Sequence, residues 1–500
     1  MPGPRRTLIW FAVVVVIVLL AIIVRPSWHL WRAAKMDIDA VEAPPPGFAD
    51  DASRMNLTAV REVRRAPADR AAAEKQLSEL LAEARDKGLK ISIAGARHSM
   101  GGHTIYPGGV VIDMLPLADM ELDEATNTLH VGAGAIWRDV LAYLDRRGQS
   151  VGVMQSNNSF SVGGSISVNC HGWQVGRPPI SSTVRSLRVM LADGSIVRSS
   201  REENGELFAA VLGGYGLFGI ILDVDLAVVP NRRYRLERHV VPNELLPATW
   251  DKAVAAHAGA EMVYGRLNVM AERFLEEAIL YVLYVDPNDD GPLPPMHAAN
   301  WVKLKRQVFR GSAENEYGKR LRWQAELNWQ PKIGGSVFSR NQLLNEGVEI
   351  FQNRSVETTD ILHEYFVPRH AFDAFVARVR EIVPRHTGNL LNVTVRSIET
   401  DEDTLLRYAD QPILALVMLF QQARSKGADG KMAAMTRDLI DAVLDVGGRY
   451  YLPYRLHATA RQFHRGYPEA DEFFALKRKY DPQELFQNQF YRQYGGAISP

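Results

Sequence analysis

The sequence predicts an α+β protein of two globular parts behind an N-terminal transmembrane helix, and three observations predict it. Leu8 to Val24 is an unbroken apolar run. Strand-like alternation and helix-like periodicity then follow one another without the regular rhythm of a doubly wound sheet. That pattern ends at Pro230 and restarts beyond it, and 500 residues suit two domains better than one.

The apolar run is just long enough to span a bilayer. Arg5 and Arg6 precede it and Arg25, Arg32 and Lys35 follow it, so positive charge on both flanks leaves the orientation open. A cleaved signal peptide is the rival reading, but no convincing small-x-small site follows the run. Arg5-Arg6 also resembles a twin-arginine export signal, a route for folded proteins. Residues 1–25 are therefore assigned to an anchor. Residues 26–50 are assigned to a linker, because Ala43-Pro-Pro-Pro-Gly47 cannot continue a helix.

Residues 51–230 form the first globular unit. An amphipathic helix over 69–87 places Ala73, Leu77, Leu80, Leu81 and Ala84 on one face and stops at Gly88. Strands follow over 89–93, 110–114 and 129–133, then a helix over 135–147. Ala192-Asp-Gly-Ser195 marks a hairpin between strands at 187–191 and 196–199. A short helix over 206–212 and an alternating strand over 222–228 complete the unit. In residues 231–470 the pattern predicts strands near 263–269, 279–285, 364–367, 390–396 and 413–420, and a helix over 372–383. Residues 286–300 are Pro-rich and read as a mobile loop. Trp301, Leu304, Val308 and Phe309 share a helical face interleaved with Lys303, Lys305, Arg306 and Arg310. That segment is either a cap helix with a solvated basic side or a helix that lies on a bilayer. Residues 471–500 form a C-terminal segment.

Lys+Arg and Asp+Glu both number 58, so no basic field argues for nucleic acid. Cys170 is the single cysteine, which excludes an intramolecular disulfide and a thiol-based metal cluster. No metal site is expected.

The chemistry begins at Gly95-Ala-Arg-His-Ser99, where a strand breaks into a loop of small residues. Such a loop lets backbone N–H groups approach a pyrophosphate. Val131-Gly-Ala-Gly134, Val162-Gly-Gly-Ser165, His171-Gly172 and Leu212-Gly-Gly-Tyr-Gly-Leu-Phe-Gly-Ile-Ile221 follow in that order. The set resembles the FAD-binding domain of the vanillyl-alcohol oxidase, or p-cresol methylhydroxylase-type, superfamily. The likeness is close over about residues 50 to 230 and weaker over the cap and C-terminus.

The resemblance implies a two-part FAD-binding domain, an α+β cap and FAD as cofactor. Gly95, Ala96, Arg97, His98 and Ser99 would form the first flavin-contacting loop. Val162, Gly163, Gly164, Ser167, Asn169 and His171 resemble a second flavin-contacting strand and turn. Gly219, Ile220 and Ile221 resemble the closing strand on the adenine side, and Asn488 belongs to the superfamily's closing motif. In sugar-lactone, alditol and cytokinin oxidases a His-Ser pair in the first loop carries a covalent flavin bond, so the resemblance implies covalent FAD through His98. Arg97 stands where that family usually has glycine. Ser159 stands where a second, cysteinyl attachment would sit, so a double link is not implied.

On the substrate side, Asn392-Val-Thr-Val-Arg-Ser-Ile398 resembles an alditol-oxidase segment that ends in an arginine at the flavin pyrimidine edge, here Arg396. A cation there would stabilise charge arriving with hydride. Thr394 replaces the glutamate of that pattern, which argues against a simple polyol substrate. Glu364-Tyr-Phe-Val-Pro368 resembles a strand of sugar-lactone oxidases and of decaprenylphosphoryl-ribose oxidase. Tyr451-Leu-Pro-Tyr-Arg-Leu-His457 resembles the C-terminal stretch of the latter, with Tyr454 in place of its lysine. Tyr454, with its acidity raised by Arg455, and His457 are candidates for the substrate hydroxyl proton, with Glu364 next. The implied activity is a membrane-anchored oxidation of a CH–OH group on a sugar-like, lactone-like or lipid-linked alcohol. Hydride passes to flavin N5, and oxygen or another electron acceptor reoxidises the flavin. Two alternatives remain: reduction of a lipid or sterol-like double bond, as in the sterol reductases that share the fold, and a non-catalytic flavin-binding membrane protein.

Overall fold

The computed structural model describes residues 4–37, 41, 43–286, 291–296, 301–313, 315–328, 337–386 and 388–496. Asp69 accepts a hydrogen bond from Ala72 N–H at 2.8 Å and so starts helix Arg70–Lys87. Gly88 ends it with φ of 66°. Ala73, Leu77, Leu80, Leu81 and Ala84 are all buried on its inner face, as their spacing requires. They pack on a parallel sheet of Glu62–Arg65, Val110–Asp113 and Ile91–Ala94. The C-terminal segment returns to that sheet. Ile91 N–H donates to Leu485 O and Gln487 N–H donates to Ile91 O, both at 2.8 Å.

A six-stranded antiparallel sheet lies beside it, in the order Ile196–Ser200, Val184–Met190, Ile220–Pro230, Thr128–Gly132 and Met120–Asp123. Gln149–Val151 pairs with the far end of Ile220–Pro230. The central strand is apolar on both faces. Ile220 and Leu222 join the core under helix Arg70–Lys87, while Ile221, Val224 and Leu226 join the larger core on the other side. A bulge between Ile221 and Asp223 shifts the alternation, so Ile221 before it and Val224 after it join the same core.

Beyond Pro230 the described residues form an eight-stranded antiparallel sheet. Its order is Val337–Ser339, Arg233–Pro242, Glu277–Val285, Ala260–Leu267, Asn389–Ile398, Ile413–Ala423, Thr358–Pro368 and Arg449–Tyr450. Helices Phe372–Ile382 and Lys426–Asp445 cover one face. Alternation along Thr358–Pro368 sends His363 and Tyr365 toward those helices, against Thr436 and Phe375, and leaves Glu364 on the opposite face. Sequence patterning did not show strand Arg233–Pro242, whose side chains are mostly half-buried, or helix Lys426–Asp445. The latter had a readable signal in Ser425 as N-cap and in Met432, Met435, Leu439, Ile440 and Val443 at helical spacing.

The N-terminus differs from expectation. Among the described residues no helix is long and apolar enough to cross a membrane. Helix Pro4–Leu19 has 16 residues, roughly 24 Å at the α-helical rise, against about 30 Å of hydrocarbon. A π-turn, Leu20–Val24, follows, and then helix Arg25–Met36 brings Arg25, Arg32 and Lys35. The first part of the expected linker is therefore helix, and it packs on helix Val302–Arg310 of the cap. The Pro-rich loop expected at 286–300 falls largely outside the described residues, at 287–290 and 297–300.

Candidate active site

A cavity of about 920 Å³ lies between the two flavin-side sheets and the open face of the eight-stranded sheet. It stands at the upper end of the range of ligand cavities and is large enough for a dinucleotide. On its first wall are Gly95, Ala96, Arg97, His98 and Ser99, with Gly163, Gly164, Ser167, His171, Gly219 and Ile221. Val162, Ile220, Asn169 and Asn488 are buried behind that wall and do not line it. Val162 belongs to a short helix, Val162–Ser167, where a strand and turn were expected. Asn169 donates to Asp401 Oδ2 at 2.9 Å and accepts from Ser181 N–H at 3.1 Å. Asn488 caps helix Gln489–Tyr494 by accepting from Tyr491 N–H, and donates to Tyr215 O at 2.8 Å. Both hold the wall in place. Gly219 has φ of 155°, and a Cβ there would lie 2.5 Å from Val189 Cγ1, so only glycine lets the closing strand pass so near.

The first loop also carries unmatched donors. Arg97 has φ of 56°, a left-handed conformation at a non-glycine residue. Its Nε and Nη2, and the hydroxyls of Ser99 and Thr104, are buried without a protein partner among the described residues, and all three residues line the cavity. A buried cation without an anion is costly. A pyrophosphate in the cavity would supply the missing anion, so the residues present fit a phosphate-bearing cofactor. His98 stacks on Phe160 with centroids 4.2 Å apart, and its Nε2 lies 3.1 Å from Ser159 O. Since the carbonyl can only accept, Nε2 carries the hydrogen and Nδ1 keeps its lone pair. Burial lowers the pKa of His98. Burial also pushes the Cys170 thiol up to about 12, so it stays a neutral part of the wall.

The opposite wall carries Glu364, Arg396, Tyr454, Asn392 and Thr394. Tyr454 donates to Glu364 Oε2 at 3.0 Å, and His171 Nε2 lies 2.6 Å from Glu364 Oε1. Arg396 donates to Ser156 Oγ at 2.7 Å and to His171 O at 3.3 Å. Burial raises the pKa of Glu364, but His171, Arg396 and the Tyr454 hydroxyl outweigh it and hold the carboxyl below its ordinary value. Burial and the neighbouring carboxylate push Tyr454 well above the ordinary phenol value. The expectation that Arg455 would make Tyr454 acidic therefore fails. Arg455 is spent on Asp429, at 2.6 Å, and on Asn56.

His457 does not line the cavity. Its Nδ1 lies 2.9 Å from Thr436 Oγ1 and its Nε2 lies 3.2 Å from Asp429 Oδ1, so both nitrogens are engaged in the packing of helix Lys426–Asp445. Sequence reasoning missed the far end of the cavity, lined by Trp173, Tyr264, Arg266 and Glu346. Trp173 and Tyr264 are 4.6 Å apart, and Tyr264 stacks on Tyr281 at 4.7 Å. Tyr264 and Arg266 alternate with Val263 and Gly265 along one strand, a signal readable only once the facing strand is known.

Residues 68–200 match the family of FAD binding domains, and residues 317–494 match the D-arabinono-1,4-lactone oxidase family. The chain is a FAD-dependent oxidoreductase, and over these two stretches it is similar to the p-cresol methylhydroxylase-type superfamily. It is 27% identical over 431 residues to cytokinin dehydrogenase 7 of Oryza sativa subsp. japonica, covering 78% of this chain and 79% of the relative. It is 22% identical over 432 residues to L-gulono-1,4-lactone dehydrogenase of Mycobacterium tuberculosis, covering 85% and 94%. The oxidoreductase uses FAD, and the loop from Gly95 to Ser99 falls within the stretch that matches the FAD binding domains.

Proposed function

We propose that this oxidoreductase oxidises the CH–OH group of a sugar-like, lactone-like or lipid-linked alcohol. The observation that carries the reading is the ionised, buried carboxylate of Glu364 on the cavity wall, held between His171 and Tyr454 with Arg396 beside it. The likeness to a lactone dehydrogenase and to a lactone-oxidase family supports it. FAD, when bound, supplies the hydride acceptor at its N5. Residues 51–230 with the returning segment 471–500 hold it, and residues 231–470 form the cap over the substrate.

The chain's own part is to hold a buried proton acceptor and a cation on the wall of the cavity. Glu364 takes the substrate hydroxyl proton, directly or through the neutral Tyr454 hydroxyl, which donates to it. Arg396 supplies fixed positive charge that offsets the negative charge arriving with hydride. Arg97, Ser99 and Thr104 would hold the pyrophosphate. His98, with Nδ1 unprotonated, is the residue for a covalent flavin link. Membrane attachment runs through the N-terminal helix, whose Ile9 to Leu19 side chains stand largely in solvent.

An anaerobic screen of sugars, lactones and lipid alcohols, following flavin absorbance, tests the reading. Bleaching by an alcohol with release of the carbonyl product is expected. Bleaching only by a nicotinamide donor would replace this reading with the reductase one, and no bleaching by either would leave a flavin-binding protein without redox turnover.

A further inference from the structure

Helix Arg25–Met36 is docked on the cap. Its Asp37 carboxylate receives Nε and Nη2 of Arg306, each at 2.8 Å, and both side chains are almost fully buried. His29 sits edge-on to Tyr317 at 5.5 Å. It lies in a notch between Gly311 and Gly318, where a Cβ would come within 2.9 and 2.7 Å of its Nε2. Arg25 lies over the Tyr317 ring at 4.1 Å. These contacts fix the direction in which the apolar N-terminal helix leaves the cap.

The outward sides of the two docked helices are apolar and cationic together. Trp28 and Trp31 stack on each other at 4.7 Å yet are 59% and 46% exposed. Trp301, Leu304 and Val308 are also exposed, Trp301 at 76%. Arg25, Arg32, Lys35, Lys303 and Lys305 are exposed among them, and neither helix contains an acidic residue. Large aromatic side chains standing in water beside basic ones suit the headgroup zone of a bilayer. On the inner side of helix Val302–Arg310, Phe309 is buried and lines the cavity. A few residues beyond Met36, Val41, Ala43, Pro44 and Pro45 line the cavity as well.

We propose that the face made by helices Arg25–Met36 and Val302–Arg310 seats on an anionic lipid surface, with the cavity mouth at its edge. This deepens the membrane reading of the proposed function and rests on it. The apolar helix dips into the bilayer, the aromatic and basic face lies along it, and substrate reaches Phe309 from the lipid side. Charge complementarity selects the occupant: an all-cationic apolar face fits anionic lipid and repels a second copy of itself.

Hydrogen–deuterium exchange on the full holoprotein tests this, with vesicles of phosphatidylcholine containing one-third phosphatidylglycerol as the probe. Peptides covering 25–36 and 301–310 should become protected, and the effect should weaken in high salt. Leu304→Glu with Val308→Glu should abolish that protection while flavin absorbance stays unchanged. Protection confined to residues 4–24 would overturn the proposed face and keep the anchor. No protection anywhere would overturn both. Protection of the face on concentrating the protein without vesicles would assign it to self-association instead.

Discussion

The Tyr454 hydroxyl donates to Glu364 Oε2 at 3.0 Å across the cavity wall, joining the strand Thr358–Pro368 to a loop near the C-terminus. The contact fixes the division of labour between them. The tyrosine is held neutral and the glutamate ionised, so the carboxylate is the proton acceptor. Glu364→Gln keeps the shape and removes that acceptor. Flavin reduction by the true substrate should slow on the order of 10²- to 10⁴-fold, with a smaller loss in Tyr454→Phe. The wild-type rate should stay level as pH falls from neutrality, because Glu364 protonates only below the ordinary glutamate value of about 4.3. Stopped-flow reduction across pH measures both, and a wild-type rate in Glu364→Gln would move the base elsewhere.

Arg396 contacts Ser156 and the His171 carbonyl and has no carboxylate within hydrogen-bonding distance among the described residues. Its charge is therefore available to the reaction. Arg396→Met should lower the reduction rate about 10²- to 10³-fold with little change in substrate binding. A change confined to the substrate concentration needed for half-saturation would make Arg396 a binding residue only.

Arg97→Gly has two opposed consequences. It relieves a left-handed residue that costs roughly 1–2 kcal/mol, so protein made without flavin should melt at a higher temperature. It also removes the cation that pairs with phosphate, so FAD should bind about tenfold to a hundredfold more weakly. Riboflavin, which lacks phosphate, should bind Arg97→Gly and wild type alike. Equal losses for FAD and riboflavin would show that the guanidinium does not meet the pyrophosphate.

His98 presents Nδ1 without a hydrogen and is kept neutral by burial. The yellow colour of the native protein should survive precipitation with trichloroacetic acid and should wash out of His98→Ala. Complete release of FAD from the native protein would leave His98 as a packing residue on Phe160.

Burial holds His103 and His363 at about 3. The unfolded chain protonates its histidines near 6.5, so between about pH 6.5 and 3 it binds protons that the native state refuses. Stability is complete above that window and falls as pH drops, by about 1.4 kcal/mol per pH unit for each histidine. Urea midpoints at pH 7 and pH 5 should differ accordingly, and His363→Gln should remove one histidine's share of the slope. Coincident midpoints would contradict the burial of neutral imidazoles.

The flavin half was legible in the sequence because its signals are local. A small-residue loop after a strand, a capped helix with Ala73, Leu77 and Leu81 on one face, and a hairpin at Asp193-Gly194 each depend on a few neighbouring residues. The order of the glycine motifs then resembled a single superfamily. What faces what was decided by tertiary structure. Glu364 and Tyr454 meet because strand Thr358–Pro368 pairs with Arg449–Tyr450, which delivers the following loop to the cavity. The same loop turns His457 away, since Asp429 and Thr436 of helix Lys426–Asp445 satisfy both of its nitrogens. Arg455, two residues earlier, goes to the same aspartate and so cannot tune the tyrosine. The resemblance to lactone and ribose oxidases nominated Glu364, Tyr454 and His457, with Arg455 as the cation to tune the tyrosine. Hydrogen bonds between segments distant in sequence selected which of them reach the cavity, because a buried polar group takes the partner that packing brings to it.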